Sequence, residues 1–113
     1  MRIFHNPRCS KSRQCFELLN ASGVEYQVVR YLENPLSEPE LIAVLSRLDE
    51  PSIAAIRTGD KEWHNLVVKP NTDDQAAVAA LLAKYPRLLQ RPIVDNGSVA
   101  RICRPPELVL EII

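Results

Sequence analysis

MRIFHNPRCSKSRQCFELLNASGVEYQVVRY, running from Met1 to Tyr31, is the stretch that decides the fold. Met1 to His5 alternates loosely between apolar and polar residues and predicts a short strand, which runs into the loop Asn6-Pro7-Arg8-Cys9. Ser10 has the chemistry of a helix cap, and behind it Cys15, Leu18 and Leu19 share one helical face until Gly23 ends the helix. Val24 to Tyr31 is rich in Val and Tyr and predicts a second strand. A strand, a crossover helix and a strand at this spacing form a parallel, right-handed βαβ unit.

Working outward, Ser37-Glu38-Pro39-Glu40 has capping-box spacing and precedes Leu41, Leu45 and Leu48 at helical intervals. A short apolar run, Ile53 to Ile56, leads to Arg57. Thr72-Asp73-Asp74-Gln75 predicts a second capping box ahead of Val78, Leu81, Leu82 and Tyr85, with Pro86 stopping that helix. Ile93-Val94-Asp95 and Ser98 to Ile102 flank Asn96-Gly97, a hairpin signal whose two turn positions call for positive φ. Pro105-Pro106-Glu107 starts a last helix carrying Leu108 and Ile112. Pro92 is expected at the first residue of a strand, where its missing N–H is tolerated and a cis bond is allowed. The order βαβ, helical insert at about 37–86, ββα predicts an α/β, thioredoxin-like (glutaredoxin-like) fold with a mixed four-stranded sheet, as one domain over 1–113.

The 113 residues are 46% hydrophobic and 25% charged, a balance suited to a single globular core and too apolar for disorder. Lys+Arg and Asp+Glu are each 14, so no global field favours nucleic acid or a membrane surface. Neither a signal peptide nor a membrane-spanning run is legible, and a cytoplasmic protein is expected. Three cysteines make a poor disulfide framework, and no Cys/His pair has zinc-site spacing, so no metal is expected.

The chemistry concentrates at Cys9. A helix N-terminus and the neighbouring Arg8, Lys11 and Arg13 all favour the thiolate over the thiol. The same unpaired amides make an anion site, so one position offers a nucleophile and a cradle for the anion it attacks. His5, at the end of the first strand, is expected to approach the sulfur and help hold it ionised, against the plain alternative of a packed or solvated histidine. Cys9-Ser10-Lys11-Ser12 lacks the second thiol of C-x-x-C, and Arg13 comes too soon for a C-x5-R phosphate loop. An oxidised Cys9 therefore needs an external thiol. Cys15 is expected in the core. Cys103 suits either a strand residue or a neighbour of the site, with the core favoured. Trp63 and His64 are expected as packing and surface residues.

His5-Asn6-Pro7-Arg8-Cys9-Ser10-Lys11-Ser12-Arg13 resembles the active-site loop of the arsenate reductases that work with glutathione and glutaredoxin. The resemblance continues through Tyr31-Leu32-Glu33-Asn34-Pro35, Arg91-Pro92-Ile93-Val94, Arg101-Ile102-Cys103-Arg104-Pro105-Pro106-Glu107 and Val109-Leu110-Glu111-Ile112. It implies that Cys9 attacks arsenate to give a thioarsenate, that glutathione adds as co-substrate, and that glutaredoxin takes the mixed disulfide as arsenite leaves. No tightly bound cofactor is implied. Three arginines that clasp the oxyanion map onto Arg57, Arg91 and Arg104, with Pro92 beside the cysteine and Ser12 hydrogen-bonded to the thiolate, against the plain alternative of a helix cap at Ser12. The stretch Arg57 to His64 departs from the family pattern, leaving a solvated surface arginine as the alternative at Arg57. Two other functions share the resemblance. One is a glutathione-dependent thiol oxidoreductase with another substrate. The other is an Spx-like regulator that binds RNA polymerase, against which Ser12, Arg91 and Arg104 argue.

Overall fold

The computed structural model describes residues 1–113. Its centre is a four-stranded sheet of order β2-β1-β3-β4, built from β1 (Arg2–Phe4), β2 (Gln27–Val29), β3 (Ile93–Asp95) and β4 (Ala100–Ile102). β1 pairs parallel with β2 and antiparallel with β3, which pairs antiparallel with β4. The sheet is mixed, and the helix α1 (Ser10–Ser22) crosses from β1 to β2 as the sequence predicts. This is the expected thioredoxin-like α/β arrangement.

Strand alternation divides the apolar residues between the two sheet faces. Ile3 and Val94 join Cys15 and Leu19 of α1, with Cys103 and Val109, in a small cluster on one side. Phe4, Ile93, Ala100 and Ile102 face the other way, into a larger core supplied by α2 (Glu38–Arg47) and α4 (Gln75–Lys84). A 3₁₀ turn (Ser52–Ala55), the one-turn α3 (Lys61–His64) and a second 3₁₀ turn (Pro86–Leu88) complete the segment between β2 and β3. Asp95 shares the larger core's face and is almost fully buried; its carboxylate receives Arg47 Nε at 3.0 Å and Arg2 Nη2 at 3.4 Å. Burial alone would raise its pKa, but these partners and the Gly97 amide hold it below the usual carboxylate range.

Several local expectations change. Cys9, not Ser10, is the N-cap of α1: its backbone is extended and its carbonyl accepts the Arg13 N–H at 3.0 Å. The capping box at Ser37 forms as predicted. At α4 the cap is Asp74 rather than Thr72, because Asp74 Oδ1 takes the Ala76 and Ala77 amides directly. β2 pairs over Gln27–Val29 rather than Val24 to Tyr31, limited by the three residues β1 presents. The hairpin forms, but only Gly97 has positive φ. Residues 96–99 make a four-residue loop in which Asn96 Oδ1 accepts the Ser98 and Val99 amides, so Asn96 needs no left-handed backbone. The last helix is a 3₁₀ helix, Pro106–Glu111, and its three-residue period turns Pro106 and Val109 inward instead of Leu108. Strand β3 begins at Ile93, one residue after Pro92, and the Arg91-Pro92 bond is cis. No helix is long and apolar enough to cross a membrane.

Candidate active site

The loop between β1 and α1 is tied down by its own polar groups. Asn6 Oδ1 accepts the Arg8 N–H at 3.0 Å, the Asn6 carbonyl accepts the Cys9 N–H at 3.0 Å, and the Asn6 N–H donates to Ser12 Oγ at 3.0 Å. Cys9 caps α1 without a side-chain hydrogen bond, which leaves the first-turn amides turned toward its sulfur. Burial pushes the thiol pKa up. The Ser12 amide, the Arg91 guanidinium and the Lys11 amide outweigh it and hold the thiol below its ordinary value. Arg104 Nη1 also lies 3.9 Å from Cys9 Sγ and donates to the Arg91 carbonyl at 3.0 Å. Arg104 is thus the guanidinium in contact with the sulfur, while Arg91 contributes to the lowering of the thiol pKa.

Arg57 reaches this place through the backbone. Ile56 and Leu89 form an isolated antiparallel bridge, with Arg57 N–H on the Leu88 carbonyl at 2.7 Å and Gln90 N–H on the Ala55 carbonyl at 2.8 Å. The bridge sets Arg57 beside the segment that carries Arg91. Asp60 steadies it, because Oδ2 receives Arg57 Nη1 at 3.0 Å while Oδ1 caps α3 through the Glu62 amide at 2.9 Å. Two cavities meet at Arg57 and Arg91. One, of about 470 Å³, also contains Cys9, Lys11 and Arg104. The other, of about 520 Å³, also contains Asn6, Arg8, Tyr31 and Arg87. Arg91 Nε is buried and has no hydrogen-bond partner. Groups of this kind, converging near a cysteine whose thiol is held below its ordinary pKa, suit a tetrahedral oxyanion.

The sequence profile of the ArsC family matches residues 4–112. The chain belongs to the ArsC family. It is 37% identical to the arsenate reductase of Haemophilus influenzae over 112 residues, covering 98% of this chain and 97% of that one. The uncharacterized protein YfgD of Escherichia coli K12 is 40% identical over 114 residues, covering 100% of this chain and 96% of that one. Among solved structures, the arsenate reductase from Vibrio cholerae superposes with a TM-score of 0.89 at 38% identity, covering 100% of this chain and 98% of that one.

Within this ArsC chain, two supporting residues sit differently from expectation. His5 does not lie on the sulfur: its Nδ1 shares a 2.6 Å hydrogen bond with Ser12 Oγ, and its ring stacks on Phe16. Burial, then Arg30 and Arg13, lower its pKa, so the ring is neutral at physiological pH and brings no charge to the thiolate. Ser12 is fully buried, and its hydroxyl serves Asn6 and His5, so its influence on Cys9 runs through the backbone amide instead. Cys15 and Cys103 are both buried, and the hydrogen bond between them, followed by burial, raises the Cys103 thiol far above its ordinary value. Trp63 is buried and His64 exposed. Sequence reading missed Asp60, although its place before Lys61-Glu62-Trp63 carries a helix-cap signal, and Tyr31, which was legible only as a strand residue and as the start of a segment carrying the family resemblance.

Proposed function

We propose that this protein is an arsenate reductase in which Cys9 is the nucleophile, Arg57, Arg91 and Arg104 hold the oxyanion, and glutathione with glutaredoxin supplies the electrons. The observation that carries this reading is the shared cavity of a lowered-pKa cysteine at a helix N-terminus and those three arginines. The Cys9 thiolate attacks the arsenic of arsenate and hydroxide leaves as water, giving a thioarsenate. The glutathione thiol displaces a second arsenic-bound oxygen as water, so that arsenic(V) carries both sulfurs. A glutaredoxin thiolate then attacks the glutathione sulfur to form a mixed disulfide, and the electron pair of the broken sulfur–arsenic bond reduces the arsenic still bound to Cys9 to arsenic(III). Water hydrolyses that last bond, freeing the Cys9 thiol and arsenite. The need for outside thiols is supported by the burial of Cys15 and Cys103, which leaves Cys9 as the one partly exposed thiol. Ser12 and His5 brace the loop, and Pro92 sits beside Arg91 at the head of β3.

The test is NADPH oxidation coupled through glutathione reductase, with arsenate, glutathione and glutaredoxin, for wild type and Cys9→Ser. Arsenate-dependent turnover in wild type, abolished in the variant, is expected. Turnover that survives the substitution removes Cys9 as nucleophile. A wild type that ignores arsenate but reduces a glutathione mixed disulfide makes the protein a thiol oxidoreductase instead.

A further inference from the structure

Tyr31 follows β2, and its ring is one of the largest fully buried side chains, 1% exposed and packed in the main core. Packing alone would be served by phenylalanine. The hydroxyl is instead buried without a hydrogen-bond partner, an arrangement that native interiors avoid. Tyr31 is one of the residues lining the cavity that meets the Cys9 cavity at Arg57 and Arg91. Asn6, the neighbouring polar side chain, faces the phenol oxygen as a donor, which leaves the phenol proton without an acceptor. Burial, which outweighs Arg91 and Arg57, raises its pKa and keeps that proton in place at any working pH. Two unspent buried donors, the Tyr31 hydroxyl and Arg91 Nε, belong to residues that line one cavity.

We propose that Tyr31 is a direct substrate-binding residue whose phenol O–H donates to an oxygen of the oxyanion held by Arg57 and Arg91. This rests on the oxyanion reading above and adds a neutral donor to its three guanidinium groups. Arginines supply attraction from many orientations. A phenol fixed by a packed ring donates along one direction and so contributes register: it orients the anion relative to the sulfur.

Tyr31→Phe tests this by removing one oxygen and keeping the ring. Cys9 is alkylated with neutral iodoacetamide without glutathione, and protection by increasing arsenate or sulfate gives an apparent Kd. The variant is expected to bind either anion roughly tenfold more weakly, as for loss of one hydrogen bond to a charged ligand. Its ligand-free Tm should stay level or rise, because the hydroxyl makes no bond in the empty protein. A structural hydroxyl would lower Tm, and that result, like unchanged protection, overturns the proposal while leaving the oxyanion reading in place. A wild-type Cys9 that neither anion protects removes the oxyanion reading and this proposal together.

Discussion

Replacing Arg91 with methionine should damage turnover far more than the same change at Arg104, although both guanidinium groups approach Cys9. Arg91 Nε is already buried and carries no protein partner, so on the proposed reading its desolvation is complete before substrate arrives and its hydrogen bond is kept for the ligand. Arg104 is exposed, and one of its nitrogens is occupied by the Arg91 carbonyl at 3.0 Å. Arg57 falls between, since Asp60 at 3.0 Å takes part of its charge. Loss of a preorganised buried donor typically costs about 10²–10³-fold, or roughly 2.7–4 kcal/mol. Loss of a solvent-shared one costs nearer tenfold, about 1.4 kcal/mol. The coupled NADPH assay should therefore rank kcat/KM as wild type, Arg104→Met, Arg57→Met and Arg91→Met in falling order. Arg91 makes no ion pair whose loss would unfold the chain, so the Tm of Arg91→Met should stay within a few degrees of wild type. A larger loss at Arg104 than at Arg91, with both variants folded, would overturn this ranking.

Three other outcomes follow from the same geometry. Because the Cys9 pKa is lowered, its alkylation rate should rise with pH and level off below the ordinary thiol range of about 8.5; a midpoint at or above that value removes the amide and Arg91 contributions. Asp95→Asn should cost about 2 kcal/mol, near 8 °C in Tm, since Arg47 and Arg2 lose a buried partner yet can rehydrate. The folded-state pKa of Asp95 is depressed, so its contribution is fully present above about 4 and lost as pH falls through the lower folded value; urea titrations should show a larger acid loss in wild type than in the variant. Ser12→Ala should cost about 1–2 kcal/mol and speed hydrogen exchange at the Asn6 amide, because that N–H loses its 3.0 Å acceptor; unchanged exchange would mean the loop is held by something else.

Sequence reading succeeded where the governing interactions are short in range. The helix over Ser10–Ser22 follows from its apolar period and Gly23, which takes the left-handed φ that ends it. The Ser37 capping box needs only residues 37 and 40. The lowered Cys9 pKa was legible because the helix N-terminal amides and nearby cations lie within four positions of the cysteine. Even short-range rules misplaced details where two candidates competed. Asp74 displaced Thr72 as a cap, and the Asn96 side chain satisfied the turn without the left-handed backbone expected of it.

The amino-acid sequence by itself determined the βαβ start, the mixed α/β class and the place of the proposed nucleophile, because period, caps and local charge act along the chain. Only the tertiary structure decided how the site is completed. Arg57 stands beside Arg91 because Ile56 pairs with Leu89, a backbone bridge that no local pattern encodes. His5 turned to Ser12 and not to the sulfur because the loop folds a buried hydroxyl beneath it. Tyr31 became a candidate only once its hydroxyl was found buried and unpartnered in a residue that lines the arginine cavity. These are relations between segments distant in sequence, fixed by burial and by which polar groups are left over after packing.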